Sequence, residues 1–220
     1  GGIMGAGIAG LGFEKLVYDG LGKVFTGIVV APIGGMIFGI AVTGLIIFLF
    51  ARRKPAIVNK TFGRLQIISS AWFALTHGAN DGQKTMGIIV LILFAADLIP
   101  ELEMPLWVIF AAATAMGLGT FFGGYKVIKT LGVRITRLKP YQGFAAETSG
   151  GLMLAVFATL GIPASTTHAI TGTIMGAGSA RRIRAVRWKV SRQIIFSWVI
   201  TIPGAAALGA VCTYIIHLFV

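Results

Sequence analysis

The chain has 220 residues, of which 56% are hydrophobic and only 12% charged, and its mean hydropathy is +0.87; this excludes an ordinary soluble domain and points to an integral membrane protein. The net charge of +12 does not indicate a nucleic-acid partner, because the basic residues collect in short loops between apolar runs, where positive charge orients helices in a bilayer. A single cysteine, Cys212, rules out an internal disulfide or a cysteine-rich metal site and reads as a packing residue of the last apolar run.

The opening stretch GGIMGAGIA, residues 1–9, recurs as GTIMGAGSA at residues 172–180. Small residues are common wherever membrane helices pack closely, yet an identical IMGAG in a matching frame favours a true internal repeat. The second copy runs straight into the most basic loop, whereas the first runs into a stretch where Glu14 and Asp19 balance Lys15 and Lys23. The two copies are therefore expected to exit on opposite sides of the membrane, as inverted repeats do in many transporters. Because residues 1–9 match the end of the repeated unit, and the first residue is Gly1 rather than Met, the expectation is the back half of a longer protein. Its N-terminal half would then be a partner of this chain. Four parts follow: residues 1–25, the tail of a first repeat and an extracytoplasmic loop; 26–64, a connecting transmembrane helix and cytoplasmic loop; 65–180, a second repeat with the ion and anion motifs; and 181–220, a basic loop and final transmembrane helix.

A crossing needs about 20 mostly apolar residues, and residues 26–50 supply one without a charge, ending at the basic sequence ARRKP. Residues 65–96 are too long for one plain crossing and hold a polar cluster in their middle. Residues 105–124 and 193–219 are two simple spans. Between them, residues 143–180 form two short segments rich in Gly, Pro, Ser and Thr, which predicts a re-entrant helical hairpin. Arg52, Arg53, Lys54, Lys60 and Arg64 mark one cytoplasmic loop, Lys126 to Lys139 a second, and Arg181 to Arg192 a third, while the loop with Asp97, Glu101 and Glu103 belongs outside. Trp107, Trp188, Trp198 and His217 read as interfacial residues. The predicted fold is all-α: a polytopic membrane protein with inverted repeats, a broken helix and a re-entrant hairpin.

The polar cluster is HGANDGQK, residues 77–84. Gly78 and Gly82 flank Ala-Asn-Asp, which predicts a helix that opens and frees carbonyls as ion ligands. Asn80, Asp81 and Gln83 offer oxygen donors of the kind that suit a small alkali cation, with sodium assigned to Asn80 and Asp81. An ionisable group within a span is functional by default, although Asp81 pairing with Lys84 or His77 would neutralise the cluster without a ligand. The second motif is GIPASTTHAITG, residues 161–172. Gly161 and Pro163 end one helix, and Ser165, Thr166 and Thr167 begin the next, with hydroxyls beside unpaired N–H groups. A capped turn explains that run as readily as an anion site does, until it is set beside a second polar cluster in the same membrane. Glu147 is expected to face the same cavity as Asp81, where it could hold a cation, exchange a proton or accept a hydrogen bond from a protonated substrate. His168 reads as a packing residue.

At these two motifs the sequence resembles the PiT family of inorganic phosphate transporters, whose repeated signatures are similar to THGANDGQKTMG and GIPASTTHAITG. The resemblance covers nearly the whole chain, residues 62–180 as the family's second repeat and 1–9 as the tail of its first. It implies movement of phosphate together with sodium ions or protons, at a site between inverted repeats. By the same resemblance Asn80 and Asp81 match cation and substrate positions, Ser165, Thr166 and Thr167 the phosphate-contacting run, and Glu147 an acidic position needed for transport. The first copy of each motif is absent from this chain.

The expected function is secondary active transport of inorganic phosphate, by symport with sodium ions or protons, in the plasma membrane, most simply the inner membrane of a prokaryote. No enzymatic activity and no cofactor are expected. The partners are phosphate, the coupling ion, the lipid bilayer and, as a further candidate, a second copy in a homodimer. A sulfate or related oxyanion carrier of the same fold is the nearest alternative. A metal-dependent hydrolase using His77, Asp81 and His168 is a more distant one, and it lacks a third strong ligand and a general base in the sequence.

Overall fold

A computed structural model describes residues 1–219, and among them every regular element is helical. The helices are α1 (Gly2–Leu11), α2 (Tyr18–Leu49), α3 (Pro55–Ala95), α4 (Leu106–Lys129), α5 (Pro140–Thr159), α6 (Thr166–Ser179) and α7 (Trp188–Phe219). Short 3-10 turns cover Phe13–Lys15 and Ile183–Ala185, and a π-helical segment, Thr130–Ile135, follows α4. In the most apolar windows of α2, α4 and α7 only 22%, 11% and 0% of residues are covered by protein. Apolar surface of that extent is not stable against water, and three apolar helices long enough to cross a bilayer make the chain a multi-pass membrane protein.

The helices fall into two compact units, Gly1–Lys23 with Arg187–Val220 and Val24–Val186. In the first, α1 lies along α7 without room for side chains between them: a Cβ on Gly5 would overlap the backbone of Ala206, and one on Gly209 would overlap that of Gly2. In the second unit α6 lies along α2 in the same manner, with Gly172 against the Pro32 carbonyl, Gly176 against that of Met36, and Gly39 against that of Thr173. Both pairs are parallel: along α1, Gly1 lies against Ile202 and Gly10 against Thr213, and along α2 and α6 the partner numbers likewise rise from Pro32 with Gly172 to Met36 with Gly176. Such small-residue seams let two backbones approach closely where lipid gives no hydrophobic drive for association.

The two pairs are made of matching elements. A short helix, a three-residue 3-10 turn and a 32-residue helix with an interior proline occur as α1, Phe13–Lys15 and α2 with Pro32, and again as α6, Ile183–Ala185 and α7 with Pro203. The same order of element types therefore follows each of the two IMGAG sequences. Each short helix packs on the long helix that follows the other short helix.

Three expectations change. The predicted break at Gly78–Gly82 is not present: α3 is one continuous helix of 41 residues, about 61 Å long at 1.5 Å per residue, and it begins at Pro55, a residue suited to the first helical turn. Lys60 and Arg64 are therefore helical rather than loop residues. The other expected interruption, at Gly161 and Pro163, is present between α5 and α6, whose arms are unequal, 20 and 14 residues. Cys212, expected to be packed, is on an exposed face of α7.

The α5–α6 pair is antiparallel and forms the buried centre of its unit. Gln142 near the start of α5 donates to the Ala177 carbonyl near the end of α6 at 2.8 Å, while Phe157 at the far end of α5 shares a core cluster with Ala164 and Ala169. The reversal is built from a glycine cap. Gly161 adopts φ +62, its N–H donates to the Ala158 carbonyl at 3.2 Å, and that of Ile162 donates to Phe157 at 3.0 Å. This is the Schellman arrangement, which satisfies carbonyls that the helix end would leave open. Pro163 prevents the helix from resuming, and Ser165 opens α6 by accepting the His168 N–H at 3.3 Å.

Candidate functional site

Along α3 the polar residues Gln66, Ser69, His77, Asn80, Asp81 and Lys84 follow three- and four-residue spacings, so they form one stripe on the helix. That stripe lies along α5 and reaches the α5–α6 reversal. Glycines on α5 make room for it: a Cβ on Gly143 would strike the Gln66 carboxamide, and one on Gly151 would strike the Trp72 ring.

Two carboxylates anchor the stripe at separate heights. Glu147 on α5 accepts from Ser69 Oγ at 2.5 Å and from Gln66 Nε2 at 3.3 Å. Asp81 on α3 receives three donors: Thr166 Oγ1 at 2.7 Å and His77 Nε2 at 3.1 Å on Oδ2, and Lys84 Nζ at 3.0 Å on Oδ1. Its side chain is 27% exposed. A carboxylate at that depth is stable because these groups replace lost water. His77 is also stacked parallel to Phe73, with centroids 6.0 Å apart.

The third focus is the carbonyl of Ala164, a residue only 2% exposed. It precedes α6, and it accepts from Lys84 Nζ at 2.7 Å and Asn80 Nδ2 at 3.2 Å. Next to it, Thr166 and Thr167 occupy the first two positions of α6. Their N–H groups fall in the turn that has no intrahelical acceptors and carries the positive end of the helix dipole.

A cavity of about 840 Å³ opens onto this region, a volume typical of small-molecule sites. Its polar lining includes Gln66, His77, Glu147, Thr166 and Thr167; the opposite wall comes from α4 and the π-helical segment, with Gly119, Thr120, Gly123 and Leu131 among its residues. Glu147 and the Asp81 cluster thus meet at one cavity, but the wall there is made by Asp81's partners His77 and Thr166.

The sequence-derived residues are placed as follows. Asp81, Asn80 and Thr166 come together, with Thr167 beside them facing the cavity, and Ser165 serves as the cap of α6. Glu147 shares the cavity at a distance along α5. Gln83 is exposed on α3, about 100° around the helix from Lys84, and stands outside the cluster. Asn80 engages the α6 turn through its nitrogen, which leaves Oδ1 as its available donor oxygen. His168 is buried on α6, its ring held by the backbone at Ile28, and among the described residues no three His, Cys, Asp or Glu side chains gather as metal ligands do. The hydrolase reading therefore loses its ligand set. Gln66 and Ser69, the partners of Glu147, were not singled out from the sequence; their signal was the spacing that they share with His77 and Asp81.

The comparisons agree with one another. A protein of Rhizobium meliloti named a probable low-affinity inorganic phosphate transporter is 45% identical over 215 residues, covering 97% of this chain and 64% of its own length. One of Bacillus subtilis with the same name is 39% identical over 219 residues, covering 99% and 66%. The chain thus spans slightly less than two thirds of these relatives. A solved structure described as the sodium-dependent phosphate transporter has the same fold, with a TM-score of 0.83 at 23% identity over 99% of this chain and 72% of that one. The profile of the phosphate transporter family matches residues 1–209, and the chain belongs to that family.

Proposed function

We propose that the protein carrying this chain is a secondary active transporter that moves inorganic phosphate across the plasma membrane by symport with sodium ions or protons. One observation carries the reading: Thr166, the first residue of α6, donates its hydroxyl to Asp81 at 2.7 Å, so an anion-attracting helix end and a cation-attracting carboxylate are one side chain apart. Phosphate would take the N–H groups of Thr166 and Thr167, the Thr167 hydroxyl and the hydroxyl of Ser165. The cation would sit against Asp81 Oδ1 and Asn80 Oδ1. Unlike charges in contact away from water attract far more strongly than in bulk, and each ligand offsets the other's desolvation. Coupling follows from that physics, since each ion is held more weakly in the site alone than beside the other.

Glu147, at the same cavity, supplies an acceptor for a protonated oxyanion, which favours phosphate over sulfate. The family and the relatives' names support the phosphate assignment, and the description of the solved structure favours sodium. In this reading α5 and α6 are a re-entrant pair. At about 21 Å, the 14-residue α6 falls short of the roughly 30 Å hydrocarbon core. The matching successions α1–α2 and α6–α7 are the visible parts of two inverted repeats, and one repeat moving against the other would give alternating access.

Uptake of radiolabelled phosphate into liposomes holding the whole protein, with sodium and pH gradients imposed separately, tests the assignment. Uptake should follow one imposed gradient, be outcompeted by excess phosphate and not sulfate, and disappear in Asp81→Asn. Gradient-driven uptake that survives Asp81→Asn would remove the carboxylate from the cation site.

A further inference from the structure

Lys84 has no part in the symport described above, yet its ammonium is held by two oxygen atoms beside the site. Nζ lies 3.0 Å from Asp81 Oδ1 and 2.7 Å from the Ala164 carbonyl. A carboxylate oxygen and a main-chain carbonyl released at a helix interruption are the donors that a small alkali cation takes in discontinuous-helix sites. Both converge on the point that the ammonium occupies. The carbonyl is otherwise left to side chains, because the next helical N–H groups go elsewhere: His168 to Ser165 Oγ, and Ala169 to the Ser165 carbonyl.

We propose that Lys84 is a tethered placeholder for the transported cation: its ammonium fills the oxygen site formed by Asp81 and Ala164 when no ion is bound, and must leave for an ion to enter. The inference rests on the assignment of Asp81 to the cation. Two like charges cannot share one carboxylate oxygen and one carbonyl at such distances. Displacement is sterically open, since the Lys84 side chain is 43% exposed and its four-carbon stem lets the charge swing toward water while the stem stays on α3. The arrangement has a use. With no ion bound, Asp81 Oδ1 keeps a charged partner and the buried carbonyl keeps the shorter of its two bonds, which favours the empty carrier. The ion's apparent affinity falls by the fraction of molecules in which Lys84 is already displaced.

The test is equilibrium binding of radiolabelled sodium to the purified whole protein in detergent, comparing the original sequence with Lys84→Gln, Lys84→Met and Asp81→Asn. Both Lys84 substitutions should lower the apparent sodium dissociation constant by about tenfold or more, as removal of a competing conformer requires, and Asp81→Asn should abolish binding. Using two uncharged replacements of different polarity, each checked for a single monodisperse species and retained helix content, separates the effect from misfolding. A sodium constant that is unchanged or weaker in both Lys84 variants overturns the placeholder, including the case in which they weaken phosphate binding alone and Lys84 is an anion ligand. Sodium binding that persists undiminished in Asp81→Asn would overturn the cation site itself, an outcome distinct from failure of the placeholder.

Discussion

At the scale of single residues, the decisive fact is how fully the chain satisfies Asp81. Three donors from two helices meet its carboxylate, so the pairing foreseen as a ligand-free alternative is present, and Thr166 adds a link to the anion motif. Thr166→Val keeps the side-chain volume and removes that link. A hydrogen bond to a charged group contributes about 1.5–3 kcal/mol, so phosphate transport efficiency should fall by roughly 10- to 100-fold. The fold should survive; the check is initial uptake rates against thermal unfolding of the same preparation. Unchanged rates would mean that Asp81 and α6 are not energetically joined. The motif residues Asn80, Asp81 and Thr166 were legible in the sequence, because polar groups at membrane depth stand out against apolar flanks. Lys84's hold on Ala164 was not, since it depends on where a carbonyl 80 residues away is left by the α5–α6 reversal.

At the scale of elements, the sequence suggested two helix interruptions and the structure has one of them. Glycines on both sides of Asn80-Asp81 suggested an opening in α3, but the helix passes through them. The cluster reaches its partners by the three- and four-residue spacing of a helical stripe, without an exposed backbone. A Cβ on Gly78 would meet no atom within 4 Å, so Gly78→Ala should be tolerated. It should also raise stability by up to about 1 kcal/mol, the helix-propensity difference between the two residues. Thermal unfolding and uptake together check this, and lost uptake in a stable Gly78→Ala protein would revive a helix that opens during transport. The true interruption was readable from Gly161 and Pro163, where chain chemistry leaves no choice: a residue at φ +62 favours glycine, and a proline cannot continue the helix. The start of α3 at Pro55 was hidden because charged residues beyond the bilayer remove the apolar signal, while the helical ladder continues regardless.

At the scale of the whole molecule, the likeness between the two IMGAG stretches extends to the order of elements that follows them. Two long helices with interior prolines follow two short ones, and in each compact unit a short helix meets a long one along a seam of glycine and alanine. Backbone approach restrains residue size rather than identity, so a likeness of this kind shows in the order of elements and, in the sequence, only at IMGAG. The central claim at this scale is that cation and phosphate share one site at the contact of α3 with α6. Thermodynamic linkage tests it most directly. Phosphate affinity of the whole protein should be measured calorimetrically across a sodium series, and sodium affinity across a phosphate series. The account predicts that each ion strengthens binding of the other by the same factor, and that Asp81→Asn removes the mutual effect; phosphate affinity that is constant from zero to saturating sodium would contradict it.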